Sequence, residues 1–284
     1  TTACLAADRY LMTTTTAAAG QVMQHLEFVH QCLAPSMRVR FTSVTEHWAQ
    51  FAVAGPRSRE VLNAVLDQPL DPDIFAFMGC GDVHLGGIPG RLFRISFSGE
   101  QAYEIAVPAR YGASLYDLLC RRASDLGGGP YGMEALNVLR LEKGFITHAE
   151  IHGRVTAFDI GMQGMLSKKK DFIGKAAASR PGLLEDGRQR LIGLKPVDPS
   201  HELTAGAHLF DTDTPATRVN DLGYVTSVGY SPTLGHFIGL GFLAEGPARV
   251  GHHIRMVDHM RGKDVLVEVC DPVFFDPEGG RARG

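Results

Sequence analysis

The sequence predicts an α+β protein that ends in a small, all-β domain. Three observations lead to this. Strand-like and helix-like segments alternate over residues 1–175, which is typical of two layers built from mixed elements. The composition then shifts to Ala, Ser, Gly, Pro and charged residues over 176–189, as in a linker. Six short strand-like segments separated by Gly, Pro and Asp turns follow, which indicates a small β-barrel or a jelly-roll-like domain. We therefore expect domains at residues 1–180 and 188–284.

The first region begins with two predicted strands, at residues 3–5 and 10–16, joined by a turn at 7–9. The β-branched threonines at the end of the second segment favour a strand. Apolar residues then recur at spacings of three and four over 17–33, which predicts an amphipathic helix that Pro35 ends.

The elements that follow are predicted from alternation and helical periodicity. Strands are expected at 39–44, 47–53, 83–85, 92–98 and 103–107, and helices at 57–66, 111–123 and 133–143. The segment 103–107 should pair with 92–98 as a hairpin. Phe93, Ile95 and Phe97 share the apolar face of 92–98, so we expect that face to point into the core.

The C-terminal domain is predicted from its short strands. These are expected at 190–194, 208–210, 223–228, 238–243, 253–257 and 265–269. A dinucleotide-binding α/β fold is disfavoured, because Gly79-Cys80-Gly81 neither continues as G-x-G-x-x-G nor opens a convincing helix.

Composition excludes several classes of protein. A net charge of −3 over 284 residues argues against a large basic surface for nucleic acid. The five dispersed cysteines are typical of reduced thiols in the cytoplasm, and no Cys/His cluster has zinc-ligand spacing, so no metal is expected. No apolar run is long enough for a membrane span, and no signal peptide is present. The chain opens on Thr1 without an initiator Met, so we expect a fragment that begins inside a domain.

Two charged residues stand at positions where local patterning predicts burial. Glu100 follows Gly99 in the predicted hairpin turn, where a solvated carboxylate is the ordinary interpretation. Arg140 lies on the apolar stripe of the helix 133–143, so its guanidinium must pair or form hydrogen bonds. A structural ion pair with Glu134 or Glu104 is one interpretation of Arg140, and a ligand-binding role is the other. Gly144 is expected to cap the helix C-terminus.

Four segments, taken in order, carry a family resemblance. They read RISFSGEQAYE (94–104), GMEALNVLRLEKG (132–144), KDFIGK (170–175) and LGYVTS with SPTL (222–234). Together they resemble motifs of the glycine-cleavage T-protein (aminomethyltransferase) family over nearly the whole chain. Phe97-Ser98, Glu142-Lys143-Gly144 and the threonine-rich segment 11–16 make the chain more similar to the branch formed by the C-terminal part of sarcosine oxidase alpha subunits.

The resemblance implies a T-protein-like folate-binding region and a tetrahydrofolate ligand. Glu100 would accept two hydrogen bonds from the pterin, since a carboxylate offers two matching acceptors. Arg140 would be a second polar anchor or would orient Glu100. Tyr103 would pack near the pocket or, as we favour, fill the core. Leu11 and Thr13 would complete the binding set. The family's catalytic aspartate would fall before Thr1, so no catalytic residue is assigned.

The same resemblance implies the chemistry. The iminium or formaldehyde from oxidative demethylation of sarcosine would be converted with tetrahydrofolate to 5,10-methylenetetrahydrofolate, largely through proximity. Flavin and NAD would belong to missing regions or to partner sarcosine oxidase subunits. Two alternatives stay open, a glycine-cleavage aminomethyltransferase and a non-catalytic scaffold that retains the fold.

Overall fold

The computed structural model describes residues 1–73 and 75–284. These residues cluster into two units. The first contains 1–96, 100–130 and 281–284, and the second contains 97–99 and 131–280. The sequence-based domain bounds of 1–180 and 188–284 stay a prediction.

The first unit is built on a four-stranded antiparallel sheet and a separate hairpin. Its strands are β1 (Thr2–Ala6), β2 (Arg9–Met12), β3 (Trp48–Ala54), β4 (Cys80–Leu85), β5 (Ile88–Phe93) and β6 (Ala102–Pro108). Its main helices are α1 (Ala19–Phe28), α2 (Ser58–Asn63) and α3 (Gly112–Asp125). β1 pairs with β2, and the sheet runs in the order β3-β6-β5-β4. The predicted pairing with 103–107 is confirmed, with Phe93 opposite Glu104, but β5 ends at Phe93, so the strand predicted over 92–98 is wrong beyond that residue.

The core of this unit lies on the helix-covered face of the sheet. Leu92, Tyr103 and Ile105 from the strands pack with Leu62 and Leu115 from the helices. The expectation that Phe93 and its neighbours form the core face is therefore wrong, because Leu92 on the opposite face occupies that position. Phe93 is also buried, but on the face beneath the β1–β2 hairpin. Since both faces are covered, apolar alternation could not tell them apart.

Three other predictions near the N-terminus need correction. Residues 39–44 form no strand, and the second strand ends at Met12, before the threonine run. β-branched residues favour a strand only where a partner is present, and β2 has β1 alone as its neighbour. The predicted helix 17–33 consists of α1 followed by a π-helical turn at Val29–Leu33.

The second unit contains a closed, six-stranded antiparallel barrel. Its strands are β7 (Gln189–Pro196), β8 (His208–Phe210), β9 (Gly223–Ser231), β10 (His236–Ala244), β11 (His253–Asp258) and β12 (Lys263–Cys270). They close in the order β10-β7-β12-β11-β8-β9. All six predicted strands are confirmed, and so is the barrel. Leu194, Leu209 and Val267 are fully buried in its core.

One helix of the second unit packs outside the barrel. This helix, α4 (Met133–Glu142), lies against β9 and β10. Gly144 follows it with a φ of +70°, and an added Cβ would lie 2.5 Å from the Pro272 carbonyl oxygen. The predicted glycine cap is therefore required both by backbone conformation and by space. Two short helices complete the chain, α5 (Lys175–Ala178) and α6 (Gly280–Arg283). Within the described residues, no helix has the length and apolar character needed to cross a membrane.

Candidate functional site

A small cavity lies between the β1–β2 hairpin and the sheet of the first unit. Its walls come from Thr1, Ala3, Leu11, Thr13, Gln50, Phe93, Ile95 and Glu104. Leu11 and Thr13, both predicted from the sequence as binding residues, lie in this wall. Glu104 contributes the one charged side chain among the lining residues. The cavity is therefore apolar except for a carboxylate and a few uncharged polar groups.

The alternation of β6 explains why Glu104 reaches the cavity. Tyr103 and Ile105 point into the core among the helices, so the residue between them points to the opposite face. There Glu104 lies opposite Phe93 on β5 and Ala52 on β3. A carboxylate in the otherwise apolar strand AYEIAVP was the sequence signal for this residue, and our sequence reasoning considered it only as a partner for Arg140.

Two opposing effects act on the pKa of Glu104. Burial raises the pKa of the Glu104 carboxyl, and a hydrogen bond from the Gln50 side chain opposes that rise. Among the described residues, Gln50 is the one hydrogen-bond donor to Glu104. The carboxyl group thus keeps acceptor capacity that the protein itself leaves unused. A partly desolvated carboxylate with spare acceptors is typical of a ligand-binding position.

Glu100 lies in the turn predicted from the sequence. It follows Gly99, whose φ is +82°, in the turn before β6, and it forms an ion pair with Arg281 of α6 at 2.5 Å. Its side chain is one-fifth exposed, and it does not line the described cavity. A binding role for Glu100 therefore rests on the family resemblance alone.

Tyr103 lies in the core of the first unit. Its ring is 1% exposed, and its hydroxyl accepts a hydrogen bond of 3.0 Å from Arg59 Nε. The buried guanidinium of Arg94 lies 5.8 Å from the ring centroid. Tyr103 and Glu104 are adjacent in sequence and point to opposite faces of the sheet. The core-filling interpretation that we favoured from the sequence agrees with this position.

Arg140 lies in the second unit, within a buried polar network. Its guanidinium donates to Ser227 Oγ at 2.8 Å, to the Phe145 carbonyl at 3.0 Å and to Asn137 Oδ1 at 2.9 Å. Its ion-pair partner among the described residues is Glu150, at 3.6 Å, so the two partners suggested by the sequence were wrong. These contacts join α4 to β9 and to the loop that carries Glu150.

Glu150 is fully buried, yet its carboxylate is well satisfied. It accepts hydrogen bonds from Ser227 Oγ at 2.6 Å and from the Thr147 backbone N–H at 2.8 Å. Burial raises the pKa of Glu150, but these hydrogen bonds and the charge of Arg140 outweigh it and hold the pKa below its ordinary value. For Arg140, burial lowers the guanidinium pKa and Glu150 opposes that shift. The two charged groups are therefore satisfied by contacts within the second unit.

No group of His, Cys, Asp and Glu side chains suited to a metal ion occurs in the part of the chain that the structure describes. The five cysteines form no disulfide, and Cys270 has a pKa raised by burial to about 12. The cavity at Glu104 combines two sequence-predicted site residues, Leu11 and Thr13, with a partly buried carboxyl group.

Comparison with known proteins gives two family matches. The family described as "GCVT N-terminal domain" matches residues 1–170, and "Glycine cleavage T-protein C-terminal barrel domain" matches residues 189–276. The chain is 26% identical to a solved structure, the glycine cleavage system aminomethyltransferase T from Bartonella henselae. The TM-score is 0.65, over 80% of this chain and 59% of that one.

Several curated relatives are more similar in sequence. Sarcosine oxidase subunit alpha from Rhizobium meliloti is 45% identical, and that from Corynebacterium sp. strain U-96 is 44% identical, each over 99% of this chain. The chain spans 29% of the length of each. An aminomethyltransferase from Mycobacterium avium is 32% identical over 83% of this chain and 61% of its own length. The family matches cover most of the sequence, and the chain therefore belongs to the glycine cleavage T-protein family.

Proposed function

We propose that this chain is the tetrahydrofolate-binding, one-carbon acceptor module of a sarcosine oxidase alpha subunit. The observation that carries the proposal is the cavity at Glu104, in a chain of the T-protein family. It offers a partly buried carboxyl group between apolar walls, with Thr13 and Gln50 as neighbouring polar groups. Most small-molecule sites have this composition, with few polar groups that fix the orientation of the ligand.

The residues at the cavity fit the chemistry of a pterin. A pterin presents a ring N–H beside an amino group, and an ionised carboxylate can accept hydrogen bonds from both. We therefore assign to Glu104 the role that the sequence suggested for Glu100. Leu11 and Phe93 would pack against the faces of the ring. When bound, tetrahydrofolate supplies the amine that takes up the one-carbon unit. The protein's own contribution is to bind and orient it.

The cavity has room for about one water molecule, so a pterin requires the site to open. The β1–β2 hairpin is the element suited to move. None of its residues is buried, whereas the sheet beneath it belongs to the core of the unit. Outward movement of the hairpin would uncover Glu104 without disturbing the helix-covered face.

The finer assignment follows the relatives. Identity to sarcosine oxidase alpha subunits is higher and extends over more of the chain than identity to aminomethyltransferases. We propose on this basis that the one-carbon unit comes from oxidative demethylation of sarcosine and leaves as 5,10-methylenetetrahydrofolate. Flavin, NAD and the other oxidase subunits would serve the oxidation outside this chain, in the cytoplasm.

Calorimetric titration with 5-formyltetrahydrofolate tests the proposal. The full-length chain should bind this stable analogue, and Glu104→Gln should weaken binding. Glu27→Gln is the matched control, since Glu27 is an exposed residue of α1 away from the cavity. Binding that is equal in all three proteins would move the site away from Glu104, and absence of binding to the unsubstituted chain would favour a scaffold.

A further inference from the structure

The side chain of Gln50 contacts the Glu104 carboxyl from the neighbouring strand. Gln50 lies on β3 opposite Ala106, and Glu104 lies on β6 opposite Ala52. The two residues are therefore diagonal neighbours on the same face of adjacent antiparallel strands, close enough for long side chains to meet. They are 54 residues apart in sequence, so only the strand pairing brings them together.

The hydrogen bond between them has a defined direction. Gln50 Nε2 donates to Glu104 Oε2. An ionised carboxylate has only acceptors, so the amide nitrogen of Gln50 must be the end that faces it. The other oxygen, Oε1, accepts no hydrogen bond from the described residues and stays available at the cavity.

We infer that Gln50 is a positioning residue for Glu104, which it holds as an ionised carboxylate with one oxygen directed to the ligand. The identity of the ligand in this inference rests on the proposed function. The effect of Gln50 on Glu104 does not. A neutral side chain that donates a hydrogen bond stabilises the charged form without adding a counter-ion. The carboxylate then keeps its full charge for the N–H groups of a pterin.

Other polar groups near this face are already engaged. Arg91 on β5 faces the same side as Glu104, but it pairs with Asp82 at 3.4 Å and stacks over Trp48 at 5.0 Å. The backbone nitrogen of Thr1, which lines the cavity, donates to the Thr13 carbonyl at 2.9 Å. Both groups are unchanged by substitution at position 50, so their effects cancel in a comparison of variants.

The first test needs no ligand. Glutamate-selective ¹³C labelling of the full-length chain would follow the titration of the Glu104 carboxyl by NMR, with Glu104→Gln used to assign the signal. Gln50→Leu removes the donor at similar size and should raise the midpoint by about one pH unit. Gln50→Glu places a like charge beside the carboxyl and should raise it further. Gln24→Leu, on the exposed side of α1, should leave the midpoint unchanged.

The second test measures the affinity for 5-formyltetrahydrofolate between pH 5 and pH 8. Gln50→Leu should move the acid-side loss of affinity to higher pH by the same amount, whatever its effect on the affinity measured at pH 8. A purely structural role would lower affinity equally at every pH. An unmoved Glu104 midpoint in Gln50→Leu and Gln50→Glu would overturn the inference. Failure of the unsubstituted chain to bind the analogue would instead overturn the proposed function, and the NMR result would stand.

Discussion

Two glutamates, one in each unit, differ in how the protein satisfies their carboxylates: Glu150 is fully buried and Glu104 is partly buried. Glu150 has donors on several sides, an arginine partner and a pKa below its ordinary value. Glu104 has one donor, no described arginine partner and a pKa raised by burial. The first carboxylate is satisfied by the protein, whereas the second keeps capacity for something else.

Under the proposed function, the difference separates a structural carboxylate from one that binds a ligand. A saturated buried ion pair stabilises one arrangement of the chain, because removing either partner leaves a charge in the interior. An under-satisfied carboxylate beside a cavity costs stability in the free protein, and a ligand with N–H donors can recover that cost.

The largest effect should come from breaking the satisfied pair. Arg140→Met leaves Glu150 buried without its counter-charge and removes the donors to Ser227 and Phe145. We expect a loss of about 3–5 kcal/mol in the free energy of unfolding, measured by urea denaturation. Arg121→Met, at an exposed position of α3, is the control and should change stability by less than about 0.5 kcal/mol. A loss below 1 kcal/mol for Arg140→Met would show that the network is not essential to the unit.

The next effect tests which glutamate holds the ligand. Glu104→Gln should weaken binding of 5-formyltetrahydrofolate by about 1.5–3 kcal/mol, since it removes hydrogen bonds to a charged acceptor. Glu100→Gln should have little effect, because Glu100 pairs with Arg281 and does not line the cavity. Calorimetry on both variants decides between them. The reverse result would restore the assignment made from the sequence.

The pH dependence of stability should have opposite signs at the two carboxyls. Glu150 has a folded-state pKa below its unfolded value near 4.5, so its stabilisation is present above that pH and is lost as the pH falls. Glu104 has a raised folded-state pKa, so its contribution is most favourable in acid and declines as the pH rises through 4.5.

Urea denaturation between about pH 3 and pH 7 checks this sign, because the Glu150 contribution changes below 4.5 and the Glu104 contribution changes above it. The stability of the unsubstituted chain relative to Glu104→Gln should fall with rising pH. The stability of the unsubstituted chain relative to Glu150→Gln should increase with rising pH. Parallel curves for the two variants would contradict the contrast drawn between the two residues.

The smallest effect is expected at the C-terminal helix. Arg281 is more than half exposed, and ion pairs of that kind contribute little. Arg281→Ala should change the free energy of unfolding by less than about 1 kcal/mol. It should also leave folate affinity unchanged, because Glu100 and Arg281 pair at the turn and do not line the cavity. A loss of affinity here would show that the turn before β6 positions Glu104.

Much of the fold could be predicted from sequence because its signals are local. The six barrel strands, α3 and α4 follow from periodicity and from the turn residues that bound them. The resemblance of four ordered motifs identified the family. Predictions failed where a local preference lacked a partner, as in the threonine run after Met12 and in residues 39–44.

The site was less accessible to sequence reasoning. Leu11 and Thr13 were placed at the cavity by resemblance, but the carboxylate was assigned to Glu100 and not to Glu104. Glu100 follows Gly99 in a turn, which drew attention to it, whereas Glu104 stands inside an apolar strand between two core residues. A charge inside an apolar strand was the stronger physical signal.

The sequence by itself determined the family, the order of elements, the barrel and the glycine cap at residue 144, because these depend on neighbours within a few residues. Only the tertiary structure decided which carboxylate lines the cavity and which partners hold Arg140. Gln50 and Glu104 are 54 residues apart, and Arg140 and Ser227 are 87 apart. Strand pairing and the packing of α4 on the barrel bring these groups together, and no local pattern encodes such distances.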